Sequence, residues 1–242
     1  MPLAAVPLLL LCAATGVAVP GRDADRRLAD LVKCAPAADS TALLMAALNK
    51  SHTSVTLTAA LTCVTEPLVV TGVQNLTITL EQGAELQAKR GSQLFGVLLR
   101  LESTASVTVQ GDPAAAAAAD NGAASASAAV PPGQGAYNLT QSELTRPMIR
   151  MWREDYADPK LYPHSEHRHA LSVHHCSQLT LHNLRLANSG GDGIYIESVV
   201  DAKFDLLTVD HNFRQGISVI EAQGLLVADS VFAFTAGTAP MA

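Results

Sequence analysis

The sequence feature that most constrains this chain is a short phrase that occurs twice within residues 188–221. DGIYI begins at Asp192 and QGISV begins at Gln215, so the glycines Gly193 and Gly216 stand 23 positions apart. Each copy consists of a turn glycine followed by a short strand in which apolar positions alternate. A period of roughly 20 to 50 residues with one short strand per repeat is typical of solenoids, and about 23 residues is too short for two helices. The repeat therefore predicts the rungs of a parallel β-helix.

The composition agrees with a stack of aliphatic strands. Of the 242 residues only 4% are aromatic and 16% are charged, and the formal net charge is −6. A general nucleic-acid binder needs a basic face, so this mild acidity argues against a nucleic-acid partner. An acidic polymer would bind only through local cations or a bridging metal.

Alternation of apolar and polar residues begins at Thr53 and recurs along most of the chain. A small polar turn followed by an alternating strand occurs at 73–80, again at 103–109 and again at 176–181. We therefore expect an all-β fold in which the parallel β-helix occupies residues 53–242.

Two segments interrupt the predicted β-helix. Residues 112–136 are rich in Ala, Gly and Ser and hold almost no large apolar side chain, which predicts a low-complexity insert without a packed core. Residues 153–169 are rich in charge, Tyr and His and predict a long loop, of the kind that often carries function. No polar cap follows Phe234, so we expect the chain to be the N-terminal part of a longer β-helix that is monomeric when complete.

The first residues predict export. The apolar run 3–14 is too short to span a membrane, and residues 16–18 supply the small side chains that precede a signal-peptidase cut. We expect a signal peptide at 1–18, no membrane span afterwards, and a secreted location, extracellular or in a cell wall. Three N-glycosylation sequons agree with export; they begin at Asn49, Asn75 and Asn138.

Residues 19–52 are expected to cap the first coil of the β-helix. The charged stretch 22–33 predicts an irregular or helical lead-in, and Ser40 offers an N-cap for the helix that follows. Four apolar residues of that helix share one face: Leu43, Leu44, Ala47 and Leu48. A helix at this position would cover the apolar end and the open strand edge of the first coil.

Three cysteines remain once Cys12 has left with the signal peptide. A disulfide between Cys34 and Cys63 would join the N-terminal cap to the first coil of an exported protein, and two free thiols are the alternative. Cys176 is expected to be a small buried apolar residue.

Three stretches carry a family resemblance, and they lie in the last third of the chain. They are EHRHALSVHHCSQLTLHNLRLANSGGDGIYIES from Glu166, DHNFRQGISVIEAQGLLVADSVF from Asp210 and TAGTAP from Thr235, with Arg146 and Pro147 upstream. Together they resemble the pectin-lyase-like superfamily, which includes polygalacturonases, pectate lyases and many uncharacterised members. The resemblance implies a right-handed parallel β-helix and an extracellular carbohydrate-active protein that acts on an acidic polysaccharide such as pectin or alginate.

Hydrolysis by the polygalacturonase route needs two carboxylates, one as acid and one to activate water. Where polygalacturonases place Asn-Thr-Asp, this chain has Gly190, Gly191 and Asp192. Where they place a pair of aspartates one coil later, it has Arg214 and Gln215. The second carboxylate of the family pattern is therefore replaced, which favours a lyase over a hydrolase.

Lyase-type β-elimination uses residues that the chain has, and it needs a base and a cation that stabilises the enediolate. Pectate lyases use an arginine base and Ca²⁺. The resemblance therefore predicts Asp192, Asp210 and Arg214 as catalytic residues. It also predicts Asp192, Asp210 and Glu197 as oxygen ligands of a possible calcium ion.

Five further residues are expected to contact substrate: Glu166, Arg168, His211, Asn212 and Gln215. Structural roles remain open as alternatives. Asp192 would cap backbone amides in a turn, and Arg214 would only pair with it across coils. Asn212 and His211 would be turn residues, and Glu197 a solvated charge at a strand end.

A group of histidines invites comparison with a zinc site; its members are His164, His167, His169, His174 and His175. No Cys or Glu completes a known ligand spacing, so they are interpreted as polar residues near a sugar-binding groove. A third class of function stays open beside lyase and hydrolase, which is a non-catalytic β-helix that binds glycans at a wall or surface.

Overall fold

The computed structural model describes residues 29–35, 38–92, 96–112, 138–163 and 165–235. Within these residues the protein consists of sixteen short strands and three short helices, and every strand pairing is parallel. The prediction of an all-β chain is confirmed. The predicted signal peptide, His164 and nearly all of the predicted insert 112–136 lie outside the described residues.

The strands are β1 (Ala29–Val32), β2 (Ser54–Leu57), β3 (Thr62–Thr65), β4 (Leu68–Thr71), β5 (Gln74–Leu80), β6 (Glu85–Ala88), β7 (Leu99–Glu102), β8 (Ala105–Gly111), β9 (Met148–Arg150), β10 (Leu171–His182), β11 (Arg185–Ala187), β12 (Ile194–Asp205), β13 (Thr208–Asp210), β14 (Ile217–Val219), β15 (Ala222–Ala228) and β16 (Val231–Ala233). The helices are α1 (Thr41–Leu48), α2 (Gln141–Leu144) and α3 (Arg153–Tyr156).

Strand pairing sorts these strands into three walls. Wall 1 consists of β4, β7, the first halves of β10 and β12, and β14. Wall 2 consists of β1, β2, β5, β8, the second halves of β10 and β12, and β15. Wall 3 is a separate sheet in the order β16-β13-β11-β9-β6-β3. The chain visits the walls in turn, so each wall gains one strand per repeat.

The register of the late strands follows the repeat in the sequence. Leu171 lies opposite Ile194, which lies opposite Ile217, in two steps of 23 positions. Leu171 and Ile194 are fully buried, because alternate side chains of each strand point inward. Residues 23 positions apart therefore become neighbours at about the 4.8 Å spacing of paired strands.

The repeated glycine serves close packing rather than a turn. A Cβ atom on Gly193 would lie 2.6 Å from the Asn212 side-chain nitrogen and would also meet Val209. Gly193 is absent from the residues with positive φ, whereas the bends of β10 and β12 use left-handed residues. Gln178 and Asp201 stand at equivalent bends, 23 positions apart, with φ of 54° and 55°.

The N-terminal cap differs from the prediction in two details. Residues Ala29–Val32 form a strand that pairs with β2, not an irregular or helical lead-in. In α1, Leu44, Ala47 and Leu48 are buried, but Leu43 is 49% exposed and does not share their face. The two buried leucines, Leu44 and Leu48, line the interior between the walls, so α1 packs against the core there.

Cys34 and Cys63 form a disulfide that ties the segment after β1 to β3. Cys176 is buried and carries a free thiol. Among the described residues, no helix combines the length and the apolar character that crossing a membrane requires.

Candidate functional site

The outward face of wall 1 carries a groove of about 410 Å³. Its apolar side is lined by Pro67, Val69 and Val97. Its polar side is lined by Arg100, His167, His169, His174, Tyr195 and Glu197. The register explains the convergence, because outward residues of successive strands form one row: Val69, Arg100, Ser172, Tyr195 and Ser218.

His174, Tyr195 and Glu197 form a connected cluster in this groove. The His174 Nδ1 atom donates to Glu197 Oε2 at 3.2 Å across paired strands, and the Tyr195 hydroxyl lies 3.4 Å from the same oxygen. Because Nδ1 carries the shared proton, Nε2 is left as the lone-pair nitrogen of a neutral ring. The imidazole and phenol rings lie 5.5 Å apart.

The surroundings of His174 and Tyr195 favour the uncharged form of each side chain. Burial, and then the positive charge of Arg100, hold the pKa of His174 below its usual value, although Glu197 and Glu102 act in the opposite direction. Burial, and then the negative charge of Glu197, raise the pKa of Tyr195. Near neutral pH the groove therefore presents an unprotonated imidazole beside a protonated phenol.

Arg100 supplies the positive charge of the groove. Its Nε atom bonds Glu102 at 3.1 Å, and 38% of its side chain is exposed. Arg100 and Tyr195 stand in the same row, with Ser172 between them.

His169 lies behind Tyr195 and is almost completely buried. The two rings stack with centroids 4.9 Å apart and planes 15° apart. The His169 Nδ1 atom accepts the backbone N–H of Asp192 at 3.0 Å. Burial, and then the neighbouring charges of His167, Arg214 and His174, lower the pKa of His169 to about 3, so the ring is neutral near pH 7.

Asp192 is fully buried, and neither of its carboxyl oxygens accepts a hydrogen bond of normal geometry. Its Oδ2 lies 3.5 Å from His169 Nδ1 and 3.6 Å from Arg214 Nη1. Burial raises the pKa of Asp192, against the weaker effects of Ser218, Arg214 and the Gln215 amide. The Ser218 hydroxyl itself donates to the Gln215 side chain at 2.5 Å.

Arg214 stands between two carboxylates without a close bond to either. Its Nη1 atom lies 3.6 Å from Glu166 and 3.6 Å from Asp192, and 29% of its side chain is exposed. Its backbone N–H donates to the Gly191 carbonyl at 3.0 Å.

Asp210, the other predicted catalytic aspartate, ends strand β13 of wall 3 with a different set of partners. It is fully buried, and Arg185 donates to its two oxygens at 2.8 and 2.7 Å. His211 bonds Oδ2 at 2.5 Å and stacks on Phe234. Burial raises the pKa of Asp210, but the hydrogen bonds from Arg185 and His211 outweigh it and the pKa is lowered. The structure thus joins Asp192 to Arg214, and Asp210 to other partners.

Three predicted substrate contacts have bonds within the protein instead. Asn212 is fully buried, accepts the Ser189 N–H at 3.1 Å and lies 3.5 Å from the Leu186 carbonyl. Gln215 bonds Ser218. Arg168 is 1% exposed and holds the predicted loop together; its guanidinium lies against Tyr156 and Tyr162 and bonds the carbonyls of Pro163 and Ser165.

The three carboxyls predicted to bind calcium do not form one ligand set. Both Asp210 oxygens accept from Arg185, and Glu197 bonds His174 and Tyr195. In the part of the chain that the structure describes, no group of three or more His, Cys, Asp or Glu side chains is arranged to hold a metal ion. Calcium stays a prediction of the sequence, and no chemical step below depends on it.

Sequence reasoning placed His174 among polar residues near a sugar-binding groove but missed its cluster with Tyr195 and Arg100, although one signal for part of it was present. His169 and Asp192 are 23 positions apart, and so are His174 and Glu197. The 23-residue repeat, applied to histidines and carboxylates, pairs both sets from the order of residues alone. Arg100 gave no such signal, because it lies 72 positions from its neighbour Ser172.

Comparison with known proteins leaves the family open. No family model matches the chain, and no curated protein matches it. Among solved structures it is similar to one from Parabacteroides merdae described as a "putative glycosyl hydrolase". Sequence identity is 10%, the match covers 84% of this chain and 95% of that one, and the TM-score is 0.49. A similarity of this size supports no inference about the reaction of this chain.

Proposed function

We propose that this protein is a right-handed parallel β-helix of the pectin-lyase-like type that cleaves an acidic polysaccharide by β-elimination in the wall 1 groove. The three walls and the 23-residue steps of register support the β-helix. One arrangement carries the proposed reaction: a neutral His174 held by Glu197 beside the protonated Tyr195, with the cation Arg100 in the same groove.

In this proposal each groove residue has one chemical role. Arg100 pairs with the carboxylate of a 4-linked uronate and stabilises the negative charge that develops on it. The lone pair of His174 Nε2 takes the C5 proton, while Glu197 holds the imidazolium that forms. The C4–O bond breaks, a C4=C5 double bond forms, and the leaving oxygen takes the proton of the Tyr195 hydroxyl. Atoms and electrons balance, and no oxidant or further reactant is needed.

The proposal moves the base from Arg214 to His174. An arginine base would have to lose a proton that its guanidinium holds very strongly, and Arg214 lies 3.6 Å from both Glu166 and Asp192. A neutral imidazole needs no such shift. In this proposal Arg214 does not react; its positive charge balances the carboxyls of Glu166 and Asp192 beside the groove.

Matched histidine variants test the reaction. His174→Ala should lower kcat by about 100-fold to 10,000-fold, the usual contribution of a positioned base. His182 is the control, because it pairs with Asp205 at 3.4 Å across the same two strands but on wall 2. Activity is followed on pectate and alginate through the ultraviolet absorbance of the unsaturated product. Equal activity in both variants would contradict the proposal.

A hydrolase is the second candidate, and one observation favours it. Glu102 and Glu197 lie on either side of His174 in the register, two strand spacings or about 10 Å apart in backbone position. Inverting glycosidases hold their carboxylates about 6.5–9.5 Å apart. New reducing ends without ultraviolet absorbance would select this candidate. Binding of the polysaccharide with neither product would select the non-catalytic glycan binder.

Export belongs to the same proposal. The Cys34–Cys63 disulfide supports an oxidising compartment, since disulfides are rare in reducing cytosol. We expect the protein to reach the medium when it is produced with residues 1–18 at its N-terminus.

A further inference from the structure

The geometry points to a positioning role for His169: backed by Asp192, it holds Tyr195 in the orientation that the elimination needs. This inference rests on the proposed function and adds two residues to it that do not touch substrate. Asp192 has no exposed surface and His169 almost none, so neither is a catalytic residue in the strict sense.

The contact between His169 and Tyr195 is a parallel stack, with ring planes only 15° apart at 4.9 Å. A phenol has two rotatable bonds before its hydroxyl, and a flat neighbour restricts both of them. On its other side Tyr195 faces His174, and its hydroxyl points to Glu197. The stack therefore decides whether the hydroxyl stays on the Glu197 side of the groove.

His169 is itself held by the backbone beside its Nδ1 atom. This atom accepts the Asp192 N–H at 3.0 Å, which requires that nitrogen to be unprotonated. The preceding residue is Gly191, where a Cβ atom would lie 3.1 Å from the same nitrogen, so the close approach needs glycine. A phenylalanine ring would keep the stack and lose only the hydrogen bond. Alanine would lose both.

Asp192 adds an electrostatic effect on the same tyrosine. Burial and then Glu197 raise the pKa of Tyr195 most; the negative charge of Asp192 acts in the same direction, and the positive charge of Arg214 opposes it. A buried carboxyl that accepts no hydrogen bond of normal geometry lowers the stability of the fold, and such groups are typical of functional sites. Asp192 thus helps to keep the phenol protonated while His169 fixes its direction.

Two substitutions at His169 separate the stack from the hydrogen bond. His169→Ala should lower kcat by about 10-fold to 100-fold with little change in KM, since a displaced acid costs rate and not binding. His169→Phe should keep most of kcat. His182→Ala is the matched control on wall 2 and should behave as wild type.

Asp192→Asn gives a readout that a purely structural role would not move. In kcat/KM against pH, the alkaline limb reports loss of the Tyr195 proton, so removing the negative charge should shift it to lower pH. This variant and His169→Phe decide the matter if His169→Ala does not fold, as judged by circular dichroism.

The outcomes distinguish the two proposals. Full activity in Tyr195→Phe would overturn the elimination mechanism and this inference with it. An inactive Tyr195→Phe together with a normal kcat in His169→Ala would overturn only the positioning role. The positioning role also fails if His169→Phe loses as much kcat as His169→Ala, or if the pH profile of Asp192→Asn is unchanged.

Discussion

Asp192 and Asp210 are both fully buried, yet their surroundings are opposite. Asp210 accepts two hydrogen bonds from Arg185 and a third from His211, and its pKa is lowered. Asp192 accepts none of normal geometry, and its pKa is raised. Burial acts on both carboxyls in the same direction, so the difference lies in the donors around them.

The contrast separates a structural site from a candidate functional one. A buried charge is tolerated when it is fully hydrogen-bonded, and removing one of its partners is strongly destabilising. A buried carboxyl whose nearby donors make no hydrogen bond of normal geometry is retained at a cost to stability, which is typical of sites selected for activity. Wall 3 therefore contains a structural ion pair at Asp210. The region behind the wall 1 groove contains Asp192, a buried carboxyl whose pKa is raised.

The largest expected effect is on stability when Arg185 is removed. Arg185→Met would leave Asp210 as a buried charge without its main partner, which typically costs about 3–5 kcal/mol. Arg214→Met is the matched change beside Asp192, where both contacts are 3.6 Å long, and should cost less than about 1 kcal/mol. Urea unfolding near neutral pH measures both. Equal losses would mean that the two aspartates do not differ as described.

A second effect concerns acid unfolding through His169. Its pKa falls from 6.5 to about 3 in the folded protein, so the unfolded chain binds this proton first as pH drops. The contribution of the neutral ring to stability is complete above pH 6.5 and is lost between pH 6.5 and about 3. The free energy of unfolding should fall by on the order of 4 kcal/mol over this pH window through His169 alone. The net loss is smaller, because the folded protein also takes up a proton at Asp192 in acid.

His169→Phe should remove that part of the acid sensitivity. The variant is compared with wild type by urea unfolding at about pH 7 and at about pH 4. His182→Phe serves as the control, because its imidazole lies on wall 2 and remains 26% exposed. An acid sensitivity that His169→Phe leaves unchanged would show that this ring titrates normally.

A third effect is the change in stability when an aspartate is replaced by asparagine, which should have opposite signs at Asp192 and Asp210. The pKa of Asp192 is raised, so the folded state binds the proton first and ionisation at higher pH destabilises the fold. Asp192→Asn should therefore gain about 1–2 kcal/mol near pH 8, and the gain should vanish in acid. The pKa of Asp210 is lowered, so its contribution is present above 3.8 and lost as pH falls below that value. Asp210→Asn should lose stability near neutral pH; the same sign in both variants would remove the contrast.

The sequence predicted the stacking of strands well and the contents of the site less well. The spacing of Gly193 and Gly216 fixed the late register, because each repeat returns to the same place on a wall. The sequence interpretation of Gly193 as a turn residue was wrong. Glycine is needed there because a side chain would collide with Asn212. Such close approach depends on a neighbouring coil and leaves no local pattern.

One pair of predicted site residues, Asp192 and Arg214, is brought within 3.6 Å by the repeat. His174 and Glu197 are also one repeat apart, but their pairing was not predicted. Arg100 reaches the same groove across a step of 72 positions that includes residues outside the described ranges. Asp210 has hydrogen bonds to both carboxyl oxygens because Arg185 donates to them. The alternation of apolar and polar residues does not predict which carboxyl a long arginine side chain will reach.

The smallest expected effect is at His211, and it tests how much of the Asp210 site is held by arginine alone. His211 is 45% exposed, and its removal leaves both Arg185 bonds in place. A hydrogen bond with one exposed partner contributes about 0.5–1 kcal/mol, so His211→Ala should lose no more than that by urea unfolding. The double variant with Arg185→Met should lose more than the sum of the two single losses, because Asp210 would then have neither donor. A His211→Ala loss as large as that of Arg185→Met would instead mean that the imidazole and the guanidinium hold Asp210 as one cooperative network.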